Sequence, residues 1–329
     1  MKKKSLILLR YDKNKVASQR FRLENIAAHL GNENFTFIYV KKGFLNFLKS
    51  ELKILSVFNC PKIIFNRWPN HYGFSFALIL VSFFVDVIFD FDDAIWTSEK
   101  SSITNSYKKF IFKIHCLISK KILCGNEFLL KTANNNKCVY IPTLLDDRFF
   151  TSHEKSKKSD HFIFGWTGSD STLKYLEDII YYFDLLYNED NRFKLYYMTS
   201  SKSKLLENKV YSNFVKWSPD NEIPFVDSIN CGIMPLNSTT WEKGKCGFKI
   251  LQYLSRGKVV IADYTDVNRK LLINDNGFLV DENWLISLKT ILSSNHEFID
   301  SKKSAFIKSN YSIHSYEKEL HNLFIHTIK

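Results

Sequence analysis

Short apolar runs of strand length alternate along the whole chain with longer segments in which apolar positions recur at helical spacing. The short runs are rich in β-branched and aromatic residues, as strands buried on both faces are. Strands that alternate with helices pair in parallel, so the pattern predicts an α/β fold with helices on both faces of a sheet. The predicted strands are SLILLR, FTFIYV, KIIFN, DVIFDF, KILC and CVYIP in the first half and FIFGW, RFKLYYM, NFVKW, CGIMPL, KVVIA and GFLV in the second.

A polar stretch at residues 146–161 separates the two series of strands. The chain has 329 residues, which is enough for two domains of ordinary size. The sequence therefore predicts two doubly wound Rossmann-like domains that face a central cleft, the first at residues 1–150 and the second at 151–312. Residues 313–329 have an amphipathic helical pattern long enough to return to the first domain. Ligands of open parallel sheets bind beyond the carboxyl ends of the strands, so we expect the site in that cleft.

The most apolar stretch of the chain covers residues 74–91. It contains Asp86 and Asp90, and a charge at bilayer depth is costly. We therefore predict a buried helix followed by a buried strand rather than a membrane span.

A second segment, residues 106–121, interleaves Lys108, Lys109 and Lys113 with apolar residues at helical spacing. Two interpretations stay open: a helix on an anionic membrane surface, or a core-packed helix with a basic outer face. The net charge of +12 indicates an anionic partner of some kind. Nucleic acid is the least expected partner, because no nucleic-acid-binding module accompanies the charge.

The cysteines and the N-terminal residues bear on the compartment. The six cysteines include no C-x-x-C pair, which argues against a zinc site and against a disulfide framework. The first apolar run ends at Arg10 and is too short for a signal peptide. We expect a cytoplasmic protein, peripheral on the inner face of the membrane if the basic helix binds lipid.

The predicted strand FIFGW is followed by a turn rich in glycine and serine and then by a helical pattern. Gly168 lets the backbone approach a ligand closely, Ser169 offers a hydroxyl, and the next helix offers N–H groups for an anion. A plain turn capped by Asp170 or Ser171 has the same pattern, so both interpretations stay open.

Lys245 and Lys249 lie four residues apart at the start of another predicted helix. A lysine in the first turn of a helix opposes the helix dipole, and a bound anion reverses that preference. The pair fits a clamp for a diphosphate, with Gln252 on the same helix face to bond a sugar hydroxyl. A pair of solvated surface lysines is the alternative.

These stretches resemble a known family. GWTGSDSTLKYL, GIMPLNSTTWEKGKCGFKILQYLSRGKVVIA and NGFLV, in that order, are similar to the donor half of bacterial family-4 (group 1) glycosyltransferases of the GT-B fold. ASQRFR, FDFDDAIW, CGNEFL and YIPTLLD resemble pieces of the acceptor domain more loosely. The resemblance implies a retaining transferase with a nucleotide-diphosphate sugar as donor and no metal or other cofactor. It implies donor contacts from Gly247 and Phe248 besides the residues above.

The chain departs from the pattern of this family in two respects. Many members have two glutamates eight residues apart, and Gly244 and Gln252 occupy those positions here. Glu242 lies two residues from the first of them and is a candidate substitute. The arginine and lysine that usually follow the first strand of the donor domain are also not evident near Gly165, so Lys245 and Lys249 are the predicted phosphate ligands.

The first half contributes a group of acids and a group of bases. Asp92 and Asp93 follow a predicted strand, and we expect them to be carboxylates of the acceptor side or catalytic cleft, or else a structural network. Asp90 and Asp92 also match the D-x-D pattern of metal-dependent transferases, which the two-domain architecture disfavours. The group Ser18, Arg20 and Arg22 either contacts an acceptor or forms an ordinary basic helical turn.

The predicted function is transfer of a sugar from a UDP- or GDP-type donor to a glycan or lipid-linked glycan hydroxyl in surface polysaccharide synthesis. Asp92, Asp93 and Lys249 are the predicted catalytic residues. A sugar-nucleotide epimerase, a phosphorylase of the same fold and a non-catalytic sugar-nucleotide-binding protein are the alternatives.

Overall fold

The computed structural model describes residues 3–10, 13, 16–57, 59–97, 102–151, 160–273, 276–280, 283–294 and 301–325. The chain divides into two compact units. The first contains Met1–Asp146, Lys243–Cys246 and Ile313–Lys329, and the second contains Asp147–Glu242 and Gly247–Ser312. Residues 243–246, which the sequence predicted for the second domain, therefore pack with the first unit. Residues 152–159 of the polar stretch lie outside the described residues.

The first unit is built on a parallel six-stranded sheet with the order β2-β1-β3-β4-β5-β6. The chain moves from β1 to one side and then returns to place β3 on the other, so the order reverses between β1 and β3. The strands are β1 (Ser5–Leu9), β2 (Phe35–Tyr39), β3 (Lys62–Asn66), β4 (Asp86–Phe91), β5 (Lys121–Cys124) and β6 (Cys138–Tyr140). The helices are α1 (Ala17–Gln19), continued by a π-helical turn (Arg20–Glu24) and α2 (Asn25–His29), then α3 (Phe44–Ser56), α4 (Phe76–Val81), α5 (Ser102–Ile118) and α6 (Glu127–Ala133).

The second unit repeats this architecture with the order β12-β11-β10-β7-β8-β9, again with all neighbours parallel. Here the order reverses between β7 and β10, which makes the crevice beyond their carboxyl ends the expected ligand position. The strands are β7 (Phe162–Thr167), β8 (Phe193–Thr199), β9 (Ser212–Lys216), β10 (Cys231–Met234), β11 (Val259–Ala262) and β12 (Phe278–Leu279). The helices are α7 (Leu173–Asp178), α8 (Ile180–Glu189), α9 (Glu222–Ser228), α10 (Thr240–Lys243), α11 (Phe248–Ser255), α12 (Asp266–Leu271), α13 (Trp284–Ser293) and α14 (Ser301–Tyr311).

Right-handed crossovers decide which face of the first sheet each helix covers. The connections through α3, α4, α5 and α6 all run in one direction along the sheet and so share one face, whereas the connection from β1 to β2 runs the other way. The helix α15 (Glu317–Phe324) packs beside α2 in one buried cluster that includes Ala27, Leu320 and Phe324. The Nζ of Lys62 donates to the carbonyl oxygen of Leu323 at 2.6 Å, which caps the end of this helix.

The apolar stretch at residues 74–91 follows the prediction only in part. The strand β4 is buried over most of its length, and Leu78 of α4 is buried. Phe76 and Leu80 of the same helix are exposed, and so are Phe83 and Phe84 after it. The prediction of a buried helix is therefore wrong for this outer face, because α4 has only one side against the sheet. Among the described residues no helix is both long and apolar enough to cross a membrane.

Candidate functional site

A buried ion pair lies at the carboxyl ends of β3 and β4 in the first unit. The guanidinium of Arg22 meets both carboxylate oxygens of Asp90, with Nε 2.9 Å from each and Nη2 2.6 Å from Oδ1. The side-chain amide of Asn66 donates to Asp90 Oδ2 at 2.7 Å, and Arg22 Nη2 also donates to the carbonyl of Ile141 at 2.9 Å. Arg22 is 2% exposed, so its donors are engaged inside the unit rather than presented to an acceptor.

Arg67 joins the next two carboxylates. Its Nε donates to Asp92 Oδ1 at 2.8 Å, its Nη2 pairs with Asp93 Oδ2, and the Nζ of Lys245 lies 3.0 Å from Asp93 Oδ1. Arg67 has a positive φ of 61°, which is uncommon for a residue with a side chain. Its amide donates to the carbonyl of Asp90 at 2.7 Å, so the main chain at this position is held from the neighbouring strand. The structure thus brings Asp92 and Asp93 together as one network with two cations.

The electrostatics of this network limit its proton chemistry. Burial alone would raise the pKa of Asp92, but the nearby positive charges, Arg67 foremost, outweigh it and hold that pKa below its ordinary value. A carboxylate with a lowered pKa is a weak proton acceptor at neutral pH. The geometry therefore favours the structural interpretation of Asp92 and Asp93, as fixed negative charges, over a general base.

The segment 243–246 is held tightly against the same part of the first unit. The amide of Asn126, which also caps α6, donates to the carbonyls of Gly244 and Lys245, each at 3.0 Å. A Cβ at Gly244 would lie 2.5 Å from the backbone nitrogen of Ala94. This close approach explains the glycine at this position, because a longer side chain has no room here.

Polar side chains are buried after β1. Ser18 and Gln19 precede the π-helical turn and are almost fully buried. Among the residues that the structure describes, Ser18 Oγ and Gln19 Nε2 have no hydrogen-bond partner. Arg20 is buried as well, with its guanidinium carbon 4.4 Å from the centre of the Phe21 ring. Buried polar atoms are normally bonded, so this turn offers a polar ligand two unmet partners.

In the second unit, the turn after β7 and the start of α11 meet at the switch point. The Nζ of Lys249 lies 4.3 Å from the centre of the Trp166 ring. Trp166 is fully buried, and its Nε1 has no hydrogen-bond partner among the described residues. A Cβ at Gly168 would come within 2.6 Å of the Trp166 ring, so the chain can turn here only as glycine. Gly168 and Lys249 therefore share the Trp166 ring as a neighbour.

The rest of this turn is internally bonded. Asp170 accepts hydrogen bonds from Thr199 Oγ1 at 2.6 Å and from Ser201 Oγ at 3.0 Å, and these bonds, Thr199 first, lower its pKa. Ser169 Oγ lies 3.0 Å from Ser171 Oγ on the exposed surface. Asp170 thus fastens the turn to the loop after β8, and Ser169 keeps its hydroxyl near the crevice.

The helix α11 begins at Phe248, directly after Gly247, whose φ is +66°. Gly247, the residue before the helix, has no side chain to cap it, and Lys249 lies in the first turn. The first N–H groups of a helix have no acceptor within the helix, and helix starts therefore favour anions. Gln252, one turn further along, is 3% exposed.

Glu242, the candidate substitute for the glutamate absent at residue 244, does not lie on an open surface. It is buried, and its two carboxylate oxygens accept hydrogen bonds from the hydroxyls of Tyr175 and Thr239. Both oxygens are therefore used inside the second unit, where the carboxylate fixes the loop that follows β10.

The two predicted clamp lysines belong to different units: Lys245 lies in the first and Lys249 in the second. Asp90 and Asp92, which form the D-x-D pattern, are paired with arginines in the structure. A different group of metal-ligand type, His29, His314 and Glu317, has its donor atoms within 4.8 Å of one another and contains none of the predicted site residues.

Sequence reasoning missed Arg67 and Trp166. Arg67 comes directly after the predicted strand KIIFN, a position where side chains at the carboxyl end of a parallel sheet gather. The position of Arg67 at a strand end was therefore enough to make it a candidate site residue. Trp166 was counted as a strand residue, and nothing in the spacing indicated that a lysine would lie over its ring.

No protein-family model matches the chain, and no curated protein sequence does. Solved structures do. The pneumococcal O-GlcNAc transferase GtfA, in complex with UDP and GlcNAc, aligns over 84% of this chain and 60% of its own, with 10% identity and a TM-score of 0.63. The catalytic domain of starch synthase IV from Arabidopsis thaliana, bound to ADP and acarbose, aligns over 98% of this chain and 99% of its own, with 9% identity and a TM-score of 0.64.

A UDP-GlcNAc 2-epimerase from Methanocaldococcus jannaschii aligns over 92% of this chain and 98% of its own, with 10% identity and a TM-score of 0.53. The chain spans about three fifths of the length of the transferase, at 60%. At these identities the likeness concerns the fold. The chain has the GT-B fold of two Rossmann-like domains, which confirms the predicted fold class.

Proposed function

We propose that the protein is a retaining glycosyltransferase that moves a sugar from a UDP- or GDP-type donor to a hydroxyl of a glycan or lipid-linked glycan in surface polysaccharide synthesis. The GT-B fold and the sugar-nucleotide proteins that share it support this proposal. One observation carries it: the start of α11 lies at the switch point of the second sheet, with Lys249 in its first turn.

The donor diphosphate would bind at this helix start. The N–H groups of the first turn point along the axis toward an anion, and the helix dipole favours negative charge there. Lys249 adds a full positive charge, and the turn at Gly168 packs closely against the Trp166 ring over which Lys249 lies. Trp166 Nε1 offers one more donor beneath Lys249. Gln252, on the same helix, is the proposed partner of the donor sugar or its ribose.

The same groups would stabilise the transition state. Negative charge builds on the diphosphate as the bond to the sugar breaks, and preorganised N–H groups with a lysine stabilise that charge without rearranging. A lysine and a helix start can supply this stabilisation without a metal ion. Retention of the anomeric configuration is a family expectation, in which the acceptor attacks from the face that the diphosphate leaves.

The acceptor is proposed to bind at the carboxyl end of the first sheet. Ser18 Oγ and Gln19 Nε2 are buried with unmet hydrogen-bonding capacity, which sugar hydroxyls can satisfy. Arg20 directly follows these two residues and is a further proposed acceptor contact. Arg22 is not, because its guanidinium is paired with Asp90. Asp92 and Asp93 act in this proposal as fixed charges that position Arg67 and Lys245.

A transfer assay with a panel of radiolabelled nucleotide sugars and an oligosaccharide acceptor tests the proposal. We expect one donor to give a longer, labelled saccharide, and we expect the rate to survive EDTA. A requirement for added manganese would contradict the metal-independent mechanism, and the absence of transfer from every donor would contradict the function.

The second candidate is a sugar-nucleotide epimerase, because an epimerase shares this fold over nearly the whole chain. The same assay without acceptor distinguishes the two. An epimerase converts the donor into a second sugar nucleotide, whereas a transferase leaves the sugar nucleotide unchanged or slowly hydrolysed.

A further inference from the structure

The helix α3 carries an apolar stripe on its outer side. Its inner face is formed by Phe47, Ser50, Glu51 and Ile54, at helical spacing, of which Ser50 and Ile54 are fully buried. The exposed side repeats leucine at the same spacing, and these leucines are Leu45, Leu48, Leu52 and Leu55. A helix that packs on its own domain normally has the opposite distribution, with polar residues outside. The outer stripe therefore serves something other than the core of this unit.

The neighbouring helix α4 extends the exposed apolar surface. Phe76 and Leu80 project from it, and Phe83 and Phe84 follow in the next turn with 77% and 81% of their surfaces exposed. The two helices are joined, since Glu51 Oε2 accepts a hydrogen bond from the amide of Ala77 at 2.9 Å. We call the combined surface the apolar patch. Its members are Phe44, Leu45, Leu48, Leu52, Leu55, Phe76, Leu80, Phe83 and Phe84.

Tyr72 links this region to the basic helix α5. Its ring lies 5.2 Å from that of Phe47 in α3, and its carbonyl accepts a hydrogen bond from Tyr107 Oη of α5 at 3.1 Å. On α5, Phe110 and Leu117 are exposed, along with other apolar residues. All three helices cover one face of the first sheet. The exposed apolar surface thus continues onto α5, the basic helix for which the sequence allowed either a membrane-surface or a core-packed interpretation.

The charges on these helices are positive with one exception. The sequences of α3, α4 and α5 include a single acid, Glu51, and this acid is bonded to α4. Lysines on and just before α3 and on α5 are exposed beside the patch, namely Lys41, Lys42, Lys49, Lys53, Lys109 and Lys113. These lysines form a positively charged rim around the patch. An anionic surface complements this lysine rim, whereas a second copy of the chain, which carries the same lysines, does not.

We propose that the apolar patch and its lysine rim dock the protein on the surface of an anionic phospholipid membrane. Exposed apolar patches of this size mark interaction sites, and a basic amphipathic surface is suited to the lipid interface. The phenylalanine and leucine side chains enter the boundary of the acyl chains while the lysines meet the headgroups. A second copy is disfavoured as the occupant, because a two-fold contact would place lysine rims against each other. The proposal does not depend on the sugar chemistry proposed above.

Sedimentation of the full chain with phosphatidylcholine vesicles, with and without phosphatidylglycerol, tests this surface. The first variant replaces Leu45, Leu52, Phe83 and Phe84 by serine. Its matched control replaces Tyr181 and Val210, which are equally exposed in the second unit, by serine. A third variant replaces Lys49, Lys109 and Lys113 by glutamine. The side chains are exposed, so thermal midpoints close to wild type are expected for all variants.

We expect wild type and control to bind vesicles that contain phosphatidylglycerol. The serine patch variant should bind about a hundredfold more weakly, since each of the four apolar side chains, partly immersed in the interface, contributes roughly a factor of three. The glutamine variant should lose about fivefold per lysine, and only on anionic vesicles. The proposal is overturned if the wild-type protein binds neither kind of vesicle. It is also overturned if the serine patch variant binds with the same affinity as the wild-type protein. If the wild-type protein binds no vesicles but forms a dimer in solution, and the serine patch variant is a monomer, the patch is instead a contact with a second copy of the chain.

Discussion

At the scale of single residues, the best-defined feature is the charge network of the first unit. Three carboxylates, Asp90, Asp92 and Asp93, lie in sequence close enough to repel one another, and each is matched by a cation. Arg67 serves two of them, from a backbone conformation that side-chain-bearing residues seldom adopt. Such a conformation persists only where surrounding groups hold it in place. Here the carboxylates of Asp92 and Asp93 hold the side chain of Arg67, and the carbonyl of Asp90 holds its amide.

Replacing Arg67 by methionine should therefore cost much more than an ordinary surface substitution. It removes the ion pair of Asp92 and one of the two ion pairs of Asp93, both largely buried, which destabilises by on the order of 3 kcal/mol. Urea unfolding followed by circular dichroism measures this free energy. The control is Arg192→Met, which removes an ion pair of an exposed arginine with Asp190 and should leave the midpoint unchanged. Equal midpoints for the two variants would contradict the account of the network.

The sequence placed Asp92 and Asp93 after a strand and Lys249 in the first turn of a helix, as the structure does, but it did not predict their partners. Lys245 and Lys249 are four residues apart, and their spacing suggested one shared ligand. The structure instead assigns them to different units, because the chain passes from one unit to the other between Cys246 and Gly247. Spacing along a helix predicts which side chains share a face, and it applies only within one continuous helix, which here begins at Phe248.

At the scale of elements, each of the twelve predicted strands occurs in the structure, the shortest being Phe278–Leu279. Buried parallel strands are continuous apolar runs, so they are conspicuous in a sequence. The exposed side of helices was harder to predict. The run FSFALILVSFF has no polar period, and nothing in it tells a helix buried on all sides from one with an apolar outer face.

The helix α5 adds a prediction about pH. His115 lies on its inner side, with ring centres 5.0 Å from Phe65 and 5.3 Å from Phe89, and burial lowers its pKa to about 3. The unfolded chain binds a proton near the ordinary histidine pKa of about 6.5. Stability from the neutral ring is therefore complete above that pH and is lost as the pH falls toward 3, by up to about 1.4 kcal/mol per pH unit.

His115→Leu should remove this dependence. Between neutral pH and pH of about 5, the free energy of unfolding of wild type should fall more steeply than that of the variant, while carboxylates titrate alike in both. Chemical denaturation at several pH values measures the difference in slope. Parallel slopes would mean that His115 takes up its proton at the same pH in the folded protein as in the unfolded chain, and would contradict a lowered pKa.

At the scale of the whole molecule, two parallel sheets with reversal points give two places where ligands are expected, one in each unit. Buried polar atoms with unmet hydrogen-bonding capacity occur at both, at Ser18 and Gln19 in the first and at Trp166 in the second. Two such places suit a reaction between two substrates. The membrane-facing patch belongs to the same unit as the proposed acceptor residues, as a lipid-linked acceptor would require.

The most direct test of the donor site is a thermal-shift titration with UDP, GDP and ADP in the presence of EDTA, on wild type, Lys249→Met and the surface control Lys204→Met. A specific nucleotide should stabilise wild type and the control by about 2.7 kcal/mol at one hundred times its dissociation constant. Lys249→Met should keep the melting temperature of the free protein and lose most of the shift. Stabilisation of Lys249→Met equal to wild type, or none by any nucleotide, would contradict a diphosphate site at the start of α11.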